Sequence, residues 1–83
     1  MMARDAAYDS YEISPRFRHS IEERIERLER DATNDEAQVA LLKDTGHIRR
    51  QMRLVAAERA EALRMRLFLD RARTRLPRPL IEL

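Results

Sequence analysis

The stretch IEERIERLERDATNDEAQVALL, residues 21–42, decides the fold. Within it Ile21, Ile25, Leu28, Ala32, Asp35, Val39 and Leu42 recur in alternating steps of four and three. That spacing keeps one side of an α-helix turned towards a neighbouring helix. Asp35 is the polar intruder in the seam. It sits in Thr33-Asn34-Asp35-Glu36, whose Thr-to-Glu spacing could open a new helix as a capping box. The apolar phase runs through this interruption unchanged, so one helix over roughly 15–44 is predicted, with a break near 32–35 as the alternative.

Upstream, Ser14-Pro15 reads as the helix start. Serine can cap, and proline at the first helical position loses no hydrogen bond. Residues 1–14 show no helical period and are expected to form a flexible arm. Downstream, Gly46 is the one glycine of the chain and is expected to stop the first helix. A second helix is predicted over roughly 48–75, ended by Pro77 and Pro79, with an extended tail over 77–83. The fold class is therefore all-α: an antiparallel helical hairpin over 15–76.

Composition points the same way. Of 83 residues, 39% are charged and 5% aromatic, with three prolines, which suits helices and not a β-rich fold. The absence of cysteine excludes disulfides and thiolate chemistry. Met1–Ser14 lacks the apolar core of a secretory signal, and the longest uncharged run, Ala37–Leu42, is far too short to span a bilayer. A cytoplasmic protein is the expectation.

A hairpin register can be written from the numbers. Leu28 with Leu67, Ala32 with Leu63, and Val39 with Ala56 share the constant sum 95, and Asp35 with Ala60 marks a weak layer. The same register sets Glu22 and Glu29 towards Arg71 and Arg64. A second apolar column, Ile48, Val55, Ala62, Leu69 and Leu76, then lies more than a quarter-turn away at about 100° per residue, widened by Met65 and Phe68. One partner helix cannot cover both faces. This second column is accordingly the expected oligomer or partner interface, with dimerisation into a four-helix bundle as the expected completion.

Signals for chemistry are weak. His19 and His47 are about 42 Å apart on a continuous helix at ~1.5 Å per residue and cannot share a metal within one chain. His19 with Glu22 and Glu23 has ligand spacing but a poor ligand set. Ser10, Ser14 and Ser20 lack a nucleophile elbow, and no glycine-rich phosphate loop is present. Carboxylates on the first helix have arginines four residues on, such as Glu23–Arg27 and Glu26–Arg30, as surface pairs do. Neither an enzyme nor a metal, cofactor or small-molecule substrate is expected.

Charge gives the remaining signal. Residues 1–43 carry seven basic and ten acidic side chains, a balance of −3; residues 44–83 carry ten and five, a balance of +5. Arg50, Arg53, Arg64, Arg71 and Arg75 fall within an arc of about 60°, with Arg49 and Arg78 extending the array. Such a stripe could contact an acidic partner or follow phosphates, although no aromatic residue interleaves with it for base stacking. A basic helix could also lie on an anionic membrane, but Arg59 and Arg66 interrupt its apolar columns. The favoured function is a helical interaction protein: an adaptor, a regulator or a minor subunit of a larger assembly. Tyr8–Ile13 and Pro79–Leu83 are candidate docking arms. The alternative is a small nucleic-acid-binding regulator that uses the arginine stripe.

Overall fold

The local signals at Ser14-Pro15 act as read. In the computed structural model, which describes residues 11–75, Ser14 Oγ accepts from the Phe17 amide at 3.1 Å and Pro15 opens helix α1, Pro15–Gln38. The helix is continuous through Thr33–Glu36. The capping box is not made, because the Thr33 hydroxyl donates back to the Glu29 carbonyl at 3.0 Å and Glu36 turns to an arginine across the hairpin. A 3-10 turn, Val39–Leu41, unwinds the end of α1, and Leu42 is extended.

Helix α2, Thr45–Arg71, then begins at Asp44, whose Oδ2 accepts from the His47 amide at 3.0 Å. Gly46 is therefore not the stop expected of it. The chain has already left helical geometry at Leu42, and the Asp44 cap draws Gly46 into the first turn of α2 with no positive φ.

The other end also departs from expectation. Helix α2 stops at Arg71, ahead of the prolines, and residues Ala72–Thr74 form strand β2. This strand pairs in parallel with β1, Tyr11–Ile13, in the register Tyr11 with Ala72 and Ile13 with Thr74. Parallel strands need a long crossover, and here the whole hairpin is that crossover. The Arg75 amide adds a bond of 2.7 Å to the Ile13 carbonyl. Arg18 completes the closure: its Nη2 donates to the Leu69 and Ala72 carbonyls at 3.1 and 3.2 Å and ties the end of α2 to the start of α1. The final residues of the expected arm are thus held against the fold, and Ile13 is buried. Residues 1–10 and 76–83, including Tyr8, Leu76 and the Pro79–Leu83 arm, lie outside the described residues.

The core is one seam. Helix α1 buries Ile25 and Ala32; α2 buries Val55, Ala62 and Leu69; Ile13 and Ala72 close the open end. Ile21, Leu28, Met65 and Phe68 pack against this cluster, and Phe17 meets Phe68 edge-to-face at 6.4 Å between ring centroids. On α1 the seam is the one read from residues 21–42. On α2 it is the other face. Leu63 and Leu67, expected against Ala32 and Leu28, are 55% and 51% exposed, and Ala56 and Ala60 are exposed too.

The axial register nevertheless holds. Glu29 meets Arg66 and Glu36 meets Arg59, both pairs summing to 95. Helix α2 is turned by about one residue, ~100°, relative to the expected pairing. The physical reason is length and bulk. The Ile48–Val55–Ala62–Leu69 column, with Met65 beside it, runs the whole of α2 and on to Ala72, whereas the rival stripe is shorter and contains two alanines near its centre.

Ala32 is fully buried, with no exposed surface, where the two helices approach. Ala32→Leu should overpack this layer and cost about 1–3 kcal/mol. Thermal unfolding followed by circular dichroism should show a midpoint lower by several degrees, roughly 4–8 °C per kcal/mol for a domain this size. An unchanged midpoint would mean that the helices do not meet there.

Candidate docking face

The seam takes one side of α2 and leaves another uncovered. Met52, Ala56, Ala60, Leu63 and Leu67 are all exposed and lie within an arc of about 80° on a helix of 3.6 residues per turn. Met52 is 45% exposed. From Met52 to Leu67 the stripe is roughly 22 Å long at ~1.5 Å per residue. Single exposed apolar residues need no explanation, but a line of them along four turns does.

Arginines border the stripe on both sides. Arg53, Arg64 and Arg71 follow one flank, and Arg59 and Arg66 follow the other. Arg66 holds Glu29 in a forked pair, its Nε and Nη2 both within 2.9 Å of carboxylate oxygens, and Arg59 Nη2 lies 2.8 Å from Glu36 Oε1. Arg64 bonds Glu61 within its own helix. Arg49, Arg50, Arg53 and Arg71 are exposed and, among the described residues, make no ion pair.

The residues singled out from sequence divide accordingly. Val55, Ala62 and Leu69 are buried inside the hairpin, and Ile48, Met65 and Phe68 are half-buried on the same side, so the column expected to face a partner faces α1 instead. Leu76 lies outside the described residues. Arg49, Arg50, Arg53, Arg64 and Arg71 are exposed along α2. Arg75 leaves the stripe because the helix has ended before it, and its Nε stands 3.6 Å from Glu12 Oε1. The expected pairs Glu22–Arg71 and Glu29–Arg64 are not formed: Glu22 approaches Arg18 and Glu29 takes Arg66. The turn of α2 that exchanged its faces also exchanged the arginines within reach.

Several polar groups elsewhere bond within the fold. Ser14 and Ser20 bond the amide and the carbonyl of Phe17. His19 Nε2 lies 3.3 Å from Glu23 Oε2, and His47 Nδ1 lies 3.9 Å from Asp44. A shallow cleft of about 480 Å³ at the open end is lined by Arg18, Glu22, Glu26, Arg66 and Asp70 over Ile25 and Leu69. Its charges are of both signs. Among the described residues no helix is long and apolar enough to cross a membrane.

One polar layer lies within the seam itself. Gln51 Nε2 donates to the Asp35 backbone carbonyl at 2.9 Å, and Glu58 stands beside Asp35 with its Oε1 shielded from solvent and without a hydrogen-bond partner. Desolvation pushes the Glu58 carboxyl above its ordinary range, reinforced by the neighbouring carboxyls of Asp35 and Asp31. Glu36 moves the other way: the hydrogen bond and charge of Arg59 hold its carboxyl below the usual range. Sequence spacing had marked Asp35 as the seam defect. Spacing alone does not mark Glu58, because the expected pairing turns the other face of α2 inward.

Comparison of the chain with models of known protein families, with curated proteins and with solved structures gives no match in any of the three.

The two shifted carboxyls act oppositely on stability. A raised folded-state pKa at Glu58 contributes stability that is full below the unfolded value and is lost as pH rises through the folded one. A lowered pKa at Glu36 contributes stability that is full above the unfolded value and is lost as pH falls through the folded one. Denaturant melts across the acid-to-neutral range should therefore show Glu58→Gln removing the decline towards neutral pH, and Glu36→Gln reducing the loss in acid. Parallel pH profiles for wild type and Glu58→Gln would contradict the shielded carboxyl.

Proposed function

We propose that this chain is a helical-hairpin interaction module, an adaptor, regulator or minor subunit, that binds protein through the bare face of α2. The observation that carries the reading is the line Met52, Ala56, Ala60, Leu63 and Leu67, apolar and exposed over four turns while the fold closes without it. A face that folding does not use still costs free energy in water, at about 25 cal/mol per Å² of apolar surface, and a partner recovers that cost. Binding, not catalysis, is the reading, since the exposed stripe offers only aliphatic and thioether side chains and the unpaired polar groups beside it are arginines.

Nucleic-acid binding is the second reading, supported by Arg49, Arg50, Arg53 and Arg71, which carry exposed charge without an ion pair among the described residues. It makes affinity depend steeply on salt and on Arg50 and Arg53, and leaves Leu63 without a role.

The paired substitutions Leu63→Asp with Leu67→Asp should leave helical content intact and shift stability by no more than about 0.5 kcal/mol, as surface changes do. Val55→Asp, which buries an unpaired charge in the seam, should unfold the hairpin. Photo-crosslinking residues placed at 63 and 67 of the full chain in its native cells should capture one and the same protein, while residue 27 on the outer side of α1 should not. Unfolding by the Leu63/Leu67 pair, or equal capture from residue 27, would remove the docking face.

A further inference from the structure

The border of the stripe specifies what can lie on it. On α2 the acidic residues are Glu58, Glu61 and Asp70. Glu58 is in the seam and Glu61 is held by Arg64, leaving Asp70 beside the stripe against Arg49, Arg53 and Arg71. The second flank carries Arg59 and Arg66, whose charge Glu36 and Glu29 already meet. Any occupant therefore meets apolar surface along the middle and an excess of positive charge at the edge.

A second copy of the chain fits this poorly. If two α2 helices packed antiparallel about a two-fold axis, each flank would face its own equivalent, placing Arg53, Arg64 and Arg71 against the same three residues. Packed in parallel, that flank would face Arg59 and Arg66 of the other copy. Both arrangements set arginine against arginine, and like charges brought together at an interface are strongly disfavoured. The acidic helix α1 is no better as a complement, because from Glu22 to Arg30 every exposed position on it is charged and offers no apolar stripe. A phosphate backbone would satisfy the arginines but could make no use of Met52, Leu63 and Leu67.

Resting on the docking face proposed above, we infer that its occupant is an acidic amphipathic helix of a different protein. It lies along α2 from Met52 to Leu67, apolar side down, with its carboxylates against Arg53 and Arg71, and turns the hairpin into a three-helix bundle. Ala56 and Ala60 at the middle of the stripe let the incoming backbone approach closely. The arginine forks give each carboxylate a two-point contact that an ammonium could not.

The test uses the full chain and two synthetic helical peptides of equal length and helicity, with the same leucine-alanine stripe but flanked by glutamates in one and by lysines in the other. Fluorescence anisotropy should show the glutamate peptide binding at least about tenfold more tightly than the lysine peptide, with the preference shrinking as salt rises. Arg53→Glu with Arg71→Glu should reverse the preference, and Leu63→Asp with Leu67→Asp should abolish binding of both.

Three results would overturn the inference. Light scattering that shows a dimer, dissolved by Leu63→Asp, would make a second copy the occupant and would leave the docking face standing. Binding of a DNA duplex that is indifferent to Leu63→Asp would defeat both the inference and the docking face. Failure of a monomeric chain to bind either peptide, or binding of both equally, would defeat the acidic helix alone, since crosslinking at residues 63 and 67 still reports on the face.

Discussion

One helix can cover only one side of another, and that limit organises this molecule. Helix α2 is apolar on two sides, separated by well over a quarter-turn, and α1 has a single seam to offer. Packing Ile25 and Ala32 against the side bearing Val55, Ala62 and Leu69 commits the hairpin to one face and leaves Met52, Leu63 and Leu67 in water. The short strands and Arg18 then close the open end. Two helices alone bury little, so ordering Ile13 and Ala72 beneath that closure adds core where the hairpin would otherwise fray.

The seam is kept in register by features that weaken it locally. Asp35, Gln51 and Glu58 bring polar atoms between the helices, and a shielded carboxylate oxygen without a partner is costly. The same layer makes sliding unfavourable. A shift of one heptad would set Glu58 against Leu28 or Leu42, replacing a polar neighbour by an apolar one. The two cross-helix ion pairs act alike, because Glu29 and Glu36 are spaced as Arg59 and Arg66 are, and a heptad slide would keep one pair and lose the other. Each pair is exposed and weak by itself. Together with the polar layer they select one alignment.

How much of this the sequence could show depends on the range of each interaction. The start of α1 was legible because Ser14 and Pro15 act within one turn. The α1 seam was legible because a single stripe stood out, and the axial register followed from it. The rotation of α2 was not legible, since two stripes one residue apart satisfy nearly the same constant sum, Ala32 reaching either Leu63 or Ala62. The end of α2 was also out of reach. It is set by Arg18, 51 residues before Leu69 in the chain, and by pairing with β1. The prolines, a local signal, pointed past it. Gly46 misled for the converse reason: a residue type common at helix ends was overruled by the Asp44 cap two residues before it.

The exchange of faces bears directly on function. With the longer column turned inward, the acidic half of the chain neutralises Arg59 and Arg66, which border the seam, and cannot reach Arg49, Arg53 or Arg71. Uncompensated positive charge is thus left beside the uncovered stripe, at Arg49, Arg53 and Arg71. Had α2 turned the other way, Arg64 and Arg71 would have met α1 and the exposed face would have been the longer and bulkier one. The packing chosen leaves outside a stripe that is short, partly alanine and edged by free positive charge. A surface of that kind contributes little to holding two helices together, and under the docking proposal its role is to decide which third helix is admitted.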